Sequence, residues 1–301
     1  MRRKAEYGDL PARGIRQRLV PALRRAVAVL ILLALGTGTA LAETTLERIR
    51  RTGEVRIGYA PEVPFAFRTP DGQLDGIGPA VVRRVFALMG IHAVQVVESE
   101  FAAMLRELRA GRFDVAAVGM FVLPERCRQA IFSEPAFKAG TGFAVRPGNP
   151  RGLHGFEDVA RDRSIRLGAV AGAVELDYAR AAGVGEEQLV IFPDAATAAA
   201  GVKAGRVDAY AAMALTVQSL VQRAPRQLER AEPFRNPVIR GRTSLDHGAY
   251  AFRPEDADLR DAFNRHLAEL LPTPEYLELL APFGLTRENL PDRTTAQLCA
   301  P

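Results

Sequence analysis

In the stretch Gly119-Met-Phe-Val-Leu-Pro-Glu-Arg-Cys127, an aromatic ring, an arginine and a cysteine follow one another at the end of an apolar run. The guanidinium of Arg126 is a planar fork of donors matched to a carboxylate, and the face of Phe121 suits a cation or a flat ring. A small zwitterion would satisfy both. Two further places add the same chemistry. In Pro61-Glu-Val-Pro-Phe-Ala-Phe67, two prolines favour an extended loop that presents Glu62 and Phe65 rather than packing them into a helix. Phe101, at the start of a helical pattern, supplies a third ring. Taken alone, each of these aromatics reads as core; their placement in loops and at an element end argues for a cage. Arg126 has the alternative of a surface ion pair with Glu125, and Glu62 that of a solvated carboxylate.

These residues need a scaffold that brings them to one edge. Phe113-Asp-Val-Ala-Ala-Val118 reads as a strand buried on both faces, and open α/β sheets deliver ligand groups from the carboxyl ends of such strands. Before it come a strand at Glu54–Tyr59, a helix at Gly78–Met89, a strand at Ala93–Val97 and a helix at Phe101–Ala110. The order then repeats: strand Ser164–Val170, helix Val174–Ala182, strand Leu189–Phe192, helix Asp194–Ala204, strand Val207–Ala212. Even the junctions match, Leu108-Arg-Ala-Gly-Arg-Phe-Asp114 against Val202-Lys-Ala-Gly-Arg-Val-Asp208. Two βαβαβ lobes, each with a parallel sheet, are expected. Ala139–Arg146 and His247–Arg253 read as two β-like crossings that form a hinge. Lobe 1 is therefore assigned residues 43–143 and 249–301, and lobe 2 residues 144–248. In the second lobe, Ala171-Gly-Ala-Val-Glu175 joins a strand to a helix start whose free backbone N–H groups can take an anion. Gly172, Ala173 and Val174 are thus candidate ligand contacts, while Glu175 either touches ligand or favours the helix dipole.

Composition narrows the function. The 301 residues are 48% hydrophobic and 25% charged, enough for one or two domains with real cores. The net charge of +5 suggests nucleic acid at first sight, but the first 42 residues hold 8 Lys/Arg and 2 Asp/Glu, leaving 32 basic and 33 acidic residues elsewhere. The remainder, at −1, gives no basis for nucleic-acid binding. The leader itself has an Arg-rich start, an apolar run from Ala26 to Leu35 and a small-residue close at Ala40-Leu-Ala42. That is the form of a secretory signal peptide, with cleavage expected before Glu43 and the periplasm as destination. Export permits disulfides, and the two cysteines, Cys127 and Cys299, form an even pair expected to be bridged. The four histidines are scattered, no metal-ligand spacing occurs, and neither a nucleophile elbow nor a P-loop is present, so neither a metal nor a cofactor is expected.

From Glu54 to about Gly284 the chain resembles the solute-binding proteins of polar amino-acid ABC importers, through "RAGRFDVAAVGM", "LPERCRQAIFSEPAF", "LGAVAGAVE" and "AGRVDAYAAM" in order. The combination "PEVPFAF", "MFVLPERC" and "GAVELDYA" is similar to the ectoine- and hydroxyectoine-binding proteins of such importers. The resemblance implies a bilobal α/β Venus-flytrap fold that closes over a small zwitterion, acts as a monomer and hands its ligand to membrane permease subunits. It also implies roles: Phe65, Phe101 and Phe121 as an aromatic box, Glu62 near the ring nitrogens, Arg126 on the ligand carboxylate. Phe101 stands where the family usually has tyrosine, and Ala173 where it often has threonine or serine. Asp208-Ala-Tyr-Ala-Ala-Met213 lacks the aspartate that amino-acid binders commonly use for an α-ammonium, which favours a ligand with its positive charge in a ring. The alternatives are a polar amino acid or betaine as ligand, or an enzyme of the periplasmic prephenate or arogenate dehydratase type, which shares this fold.

Overall fold

The computed structural model describes residues 42–239 and 242–300. The leader assigned to residues 1–42 lies outside them except for Ala42. Among the described residues, no helix is long and apolar enough to cross a membrane. The described chain opens on the helix Thr45–Thr52. Its first turn is closed by Thr44 and Glu47, each accepting the other's backbone N–H at 3.2 and 2.9 Å, and Gly53 ends it in the left-handed region.

Two sheets follow, built alike. In the first, the order is Ala93–Glu98, Glu54–Tyr59, Val115–Phe121, Asp246–Phe252, Ile131–Phe132, with Phe137–Ala139 also paired to Asp246–Phe252. In the second it is Leu189–Phe192, Leu167–Val170, Ala209–Met213, Thr141–Val145, Glu229–Arg230. The three leading strands of each sheet are parallel, as the alternation of strands and helices requires. The fourth strand of each is antiparallel, so the sheets are mixed rather than parallel throughout. Each of these fourth strands adjoins a passage between the lobes, and a strand arriving that way need not follow the βαβ direction.

The sequence repeat has a structural meaning. Asp114 accepts the backbone N–H of Arg56 at 2.9 Å and its own N–H donates to the Arg56 carbonyl at 2.8 Å. Asp208 does the same with Arg166, at 2.9 and 2.8 Å. Each aspartate thus locks the third strand of its lobe beside the first, and Gly111 and Gly205 supply the positive φ that the preceding turn needs.

The lobes exchange chain at Gly140 and again between Asn236 and Asp246. Asn236 ties the two crossings together, its Oδ1 accepting the N–H of Thr141 at 2.9 Å. Thr141 already pairs with Met213 in the second sheet, and Asp246 pairs with Ala139 in the first. After the return crossing, the helices Ala257–Leu270 and Pro274–Leu280 cover the first sheet, with Phe263 against Phe86, Tyr250 and Phe252. The tail remains on this lobe: the short helix Thr295–Cys299 brings the Cys299 sulfur to bonding distance of Cys127, with Cα atoms 5.7 Å apart.

Candidate functional site

The strand Val115–Phe121 is buried along its whole length and ends where the chain turns outward. Leu123 is extended, Pro124 occupies the first position of the short helix Pro124–Cys127, and this turn carries Arg126 back over the strand end. Arg126 is 8% exposed. One guanidinium nitrogen donates to the Phe121 carbonyl at 2.9 Å, and the other crosses to the second lobe and donates to the Gly172 carbonyl at 3.0 Å. Its central carbon lies 5.5 Å from the Phe101 ring centroid. Burial works to lower the pKa of this group, and nearby Glu175 opposes the shift.

Between the lobes lies a narrow cavity, with room of about 40 Å³ for the centres of water-sized molecules. The first lobe contributes Glu62, Phe101, Phe121 and Arg126, together with Gly119 and Met120. The second contributes Ala173, Val174 and Glu175 from the start of the helix Val174–Ala181, and Val170 with Tyr210–Met213 from its sheet. Gly172, next to Ala173, has φ +76°, and a Cβ there would stand 3.3 Å from the Ala102 backbone of the other lobe. A methyl at 172 would press on the other lobe at that point by a few tenths of an ångström.

Two carboxyl groups face this space from opposite lobes. The Glu62 loop folds back on itself, Glu62 and Ala66 exchanging backbone hydrogen bonds at 2.7 and 2.8 Å. Its Oε1 accepts the hydroxyl of Thr216, on the second-lobe helix Ala214–Arg223, at 2.6 Å. Burial pushes the Glu62 pKa up to about 7 despite that bond. Glu175 is 3% exposed and its Oε1 has no hydrogen-bond partner. Burial pushes its pKa up to about 8; its own backbone N–H opposes the rise, the charges of Glu62 and Asp246 add to it, and Arg126 opposes it. A wider space, lined by Glu98, Glu100 and Asp194, shares Glu62, Phe101 and Val170 with the cavity. Among the described residues, no group of three or more His, Cys, Asp or Glu could hold a metal ion.

Of the residues expected from the sequence, Glu62, Phe101, Phe121, Arg126, Ala173, Val174 and Glu175 all line the cavity, whereas Gly172 does not line it and meets the site through its carbonyl, which accepts from Arg126. Phe65 does not line it. The back-folded loop turns this ring inward, leaving it 1% exposed with its centroid 5.3 Å from that of Phe137, behind Gly119. The prolines do present Glu62 to the cleft; the same fold buries Phe65. Sequence reasoning missed Tyr210, which borders the cavity from the second lobe although its side chain is buried in that lobe's core. It also missed the buried group at the return crossing, where Asp246 accepts hydrogen bonds from Tyr178 and, at 2.6 Å, from Ser244.

A profile of bacterial extracellular solute-binding proteins, family 3, matches residues 55–286. The chain belongs to that family. Members bind small amino-acid-like solutes and deliver them to ABC permeases, and this chain is the solute-binding component of an amino-acid-type importer. A protein of Sinorhizobium fredii (strain NBRC 101917 / NGR234), named "Probable amino-acid ABC transporter periplasmic-binding protein", is 40% identical over 261 residues, 85% of this chain and 86% of that one. Among solved structures, EhuB in complex with hydroxyectoine is 32% identical with a TM-score of 0.79, covering 86% of this chain and 98% of that chain. Cyclohexadienyl dehydratase of Pseudomonas aeruginosa is 34% identical over 119 residues only, 39% of this solute-binding protein and 44% of the enzyme.

Proposed function

We propose that this solute-binding protein captures ectoine or hydroxyectoine between its lobes, in the periplasm and as a monomer, for delivery to an ABC permease. The observation that carries the reading is the convergence of Arg126, Phe101, Phe121 and Glu62 on one interlobe cavity. A small ring with a delocalised positive charge and a carboxylate needs those groups: π-faces and a carboxylate for the ring, a guanidinium for the acid. The likeness to the hydroxyectoine complex of EhuB supports the same ligand class. The aromatic faces come from Phe101 and Phe121 of the first lobe, with Phe65 packed behind them, while Tyr210 borders the cavity from the second-lobe core. Closure follows from differential contact: Arg126 and Glu62 each reach a group of the other lobe, so a ligand that orders them favours the closed form. Export by a cleaved leader and a Cys127–Cys299 bridge belong to the same proposal.

A second reading rests on Glu175. The second-lobe strand 208–213 lacks the aspartate that would hold an α-ammonium, but Glu175 at the helix start, one of the two readings the sequence allowed for it, brings a carboxyl group into the cavity. A polar α-amino acid, its carboxylate on Arg126 and its ammonium on Glu175, is the alternative occupant. Titration of the purified protein with hydroxyectoine, ectoine and a panel of α-amino acids by calorimetry separates the two. The partial match to a dehydratase, over 39% of the chain, does not support an enzymatic reading against a family profile spanning residues 55–286.

A further inference from the structure

The charges that meet in the cavity do not balance. Glu62 and Glu175 face one cation, Arg126, whose two hydrogen bonds both go to carbonyls rather than to either carboxyl group. Asp246, close enough to be felt by Glu175, is already served by the hydroxyls of Tyr178 and Ser244. Tyr178, on the same helix as Glu175, and Tyr210, on the adjoining strand, are held neutral by burial and by the surrounding carboxyl groups. If both cavity acids were ionised, one negative charge would stand uncompensated in a site where an unpaired charge costs several kcal/mol. A zwitterionic guest leaves that sum unchanged: its carboxylate cancels Arg126, its ring cancels Glu62, and Glu175 remains. The carboxyl oxygen without a partner is the Glu175 Oε1, buried in the cavity wall.

We infer that Glu175 is a specificity-determining residue which enters the ligand complex protonated, so that the pocket accepts a neutral zwitterion only while Glu175 carries its proton. This rests on the ectoine-type reading above and adds the charge state to it. The free protein is poised for it, since burial already holds Glu175 in its acid form up to about pH 8. Once a ligand arrives without a net charge, the proton is retained more firmly, and above about pH 8 binding must take a proton from solvent. Glu62, the carboxylate that offsets the ring, must instead be ionised, and below about pH 7 binding must release its proton. Affinity for the zwitterion therefore peaks between these two values.

The test is the dissociation constant of hydroxyectoine, whose ring and carboxylate keep their charges throughout, measured from pH 6 to 9.5 for the wild-type protein and Glu175→Gln. The wild type is expected to lose about tenfold in affinity per pH unit above about pH 8. The glutamine variant, which cannot ionise, is expected to change by less than about twofold over the same interval. Calorimetry of the wild type at pH 9 in two buffers of different ionisation enthalpy is expected to give proton uptake approaching one per ligand, and needs no variant. A flat wild-type profile with binding intact, an equal alkaline loss in Glu175→Gln, or proton release at pH 9 overturns the inference while the ligand assignment stands. Hydroxyectoine failing to bind at any pH overturns the assignment itself. An α-amino acid binding with its ammonium on Glu175 would displace the proton and, at pH 7, release it to the buffer, the opposite sign to retention.

Discussion

Replacing Arg126 with alanine removes more than one interaction. The guanidinium spans the cleft, bonded to Phe121 at 2.9 Å on its own lobe and to Gly172 at 3.0 Å on the other, with the Phe101 ring 5.5 Å from its centre. In the proposed complex it also pairs with the ligand carboxylate. Taking one partner from a buried ion pair costs about 3–5 kcal/mol, which is about two to three and a half orders of magnitude in affinity. Truncating Phe101 removes one π-face worth about 0.5–2 kcal/mol, or about 2- to 30-fold. Calorimetric titration of hydroxyectoine into both variants should therefore rank Arg126→Ala far below Phe101→Ala. Arg126→Lys should fall between, since an ammonium keeps the charge but cannot serve two carbonyls and a carboxylate in the plane of a fork. Far-ultraviolet dichroism and melting of the three variants check that the lobes remain folded. Arg126→Ala within tenfold of the wild type, or weaker binding by Phe101→Ala than by Arg126→Ala, would refute the reasoning.

Gly172→Ala should lower stability by about 1–2 kcal/mol through its left-handed φ and, separately, weaken binding, because the added methyl presses on the Ala102 backbone when the lobes close. Scattering curves with saturating ligand should show a less compact particle than the wild type, and an unchanged curve and affinity would contradict the closure contact. Thiol titration of the denatured, unreduced protein should find no free sulfhydryl, and reduction should lower stability by roughly 2–4 kcal/mol because the bridge closes a loop of 172 residues; two free thiols would defeat it. For the ligand-free protein, Glu62 and Glu175 ionise in the unfolded chain near pH 4.3, but in the fold only near pH 7 and 8. The fold thus binds more protons in that window, and their contribution to stability, full below about pH 4.3, is lost as pH rises towards 8. Denaturant unfolding of Glu175→Gln should then gain on the wild type by a few kcal/mol between pH 5 and 8, and an identical difference at both pH values would exclude the effect.

Much of this architecture was legible because it is written locally. The matched junctions ending in Asp114 and Asp208 disclosed two lobes, and each aspartate makes the same pair of backbone contacts with its own first strand. Phe121 and Arg126 could be placed because a buried strand, a proline and a short turn leave little choice about where the next side chains go. Phe65 could not, since whether a proline-flanked loop stands out or folds back depends on backbone bonds between Glu62 and Ala66 that no periodicity records. The contact of Glu62 with Thr216 joins residues 154 apart and exists only because the lobes close on each other. Glu175 stays open between dipole and ligand in the sequence because Glu62, Asp246 and Arg126, which bear on it, are distant in the chain. The antiparallel fourth strands follow from the crossings, whose direction no pattern of apolar residues encodes.

The most direct measurement is a calorimetric titration of the purified protein at pH 7.5 with hydroxyectoine, ectoine, L-arginine, L-glutamine and L-glutamate, each in turn. The account predicts one saturable site for hydroxyectoine or ectoine, tighter by at least about tenfold than for any of the three amino acids. Tighter binding of an amino acid, or no heat from either ectoine, would contradict it.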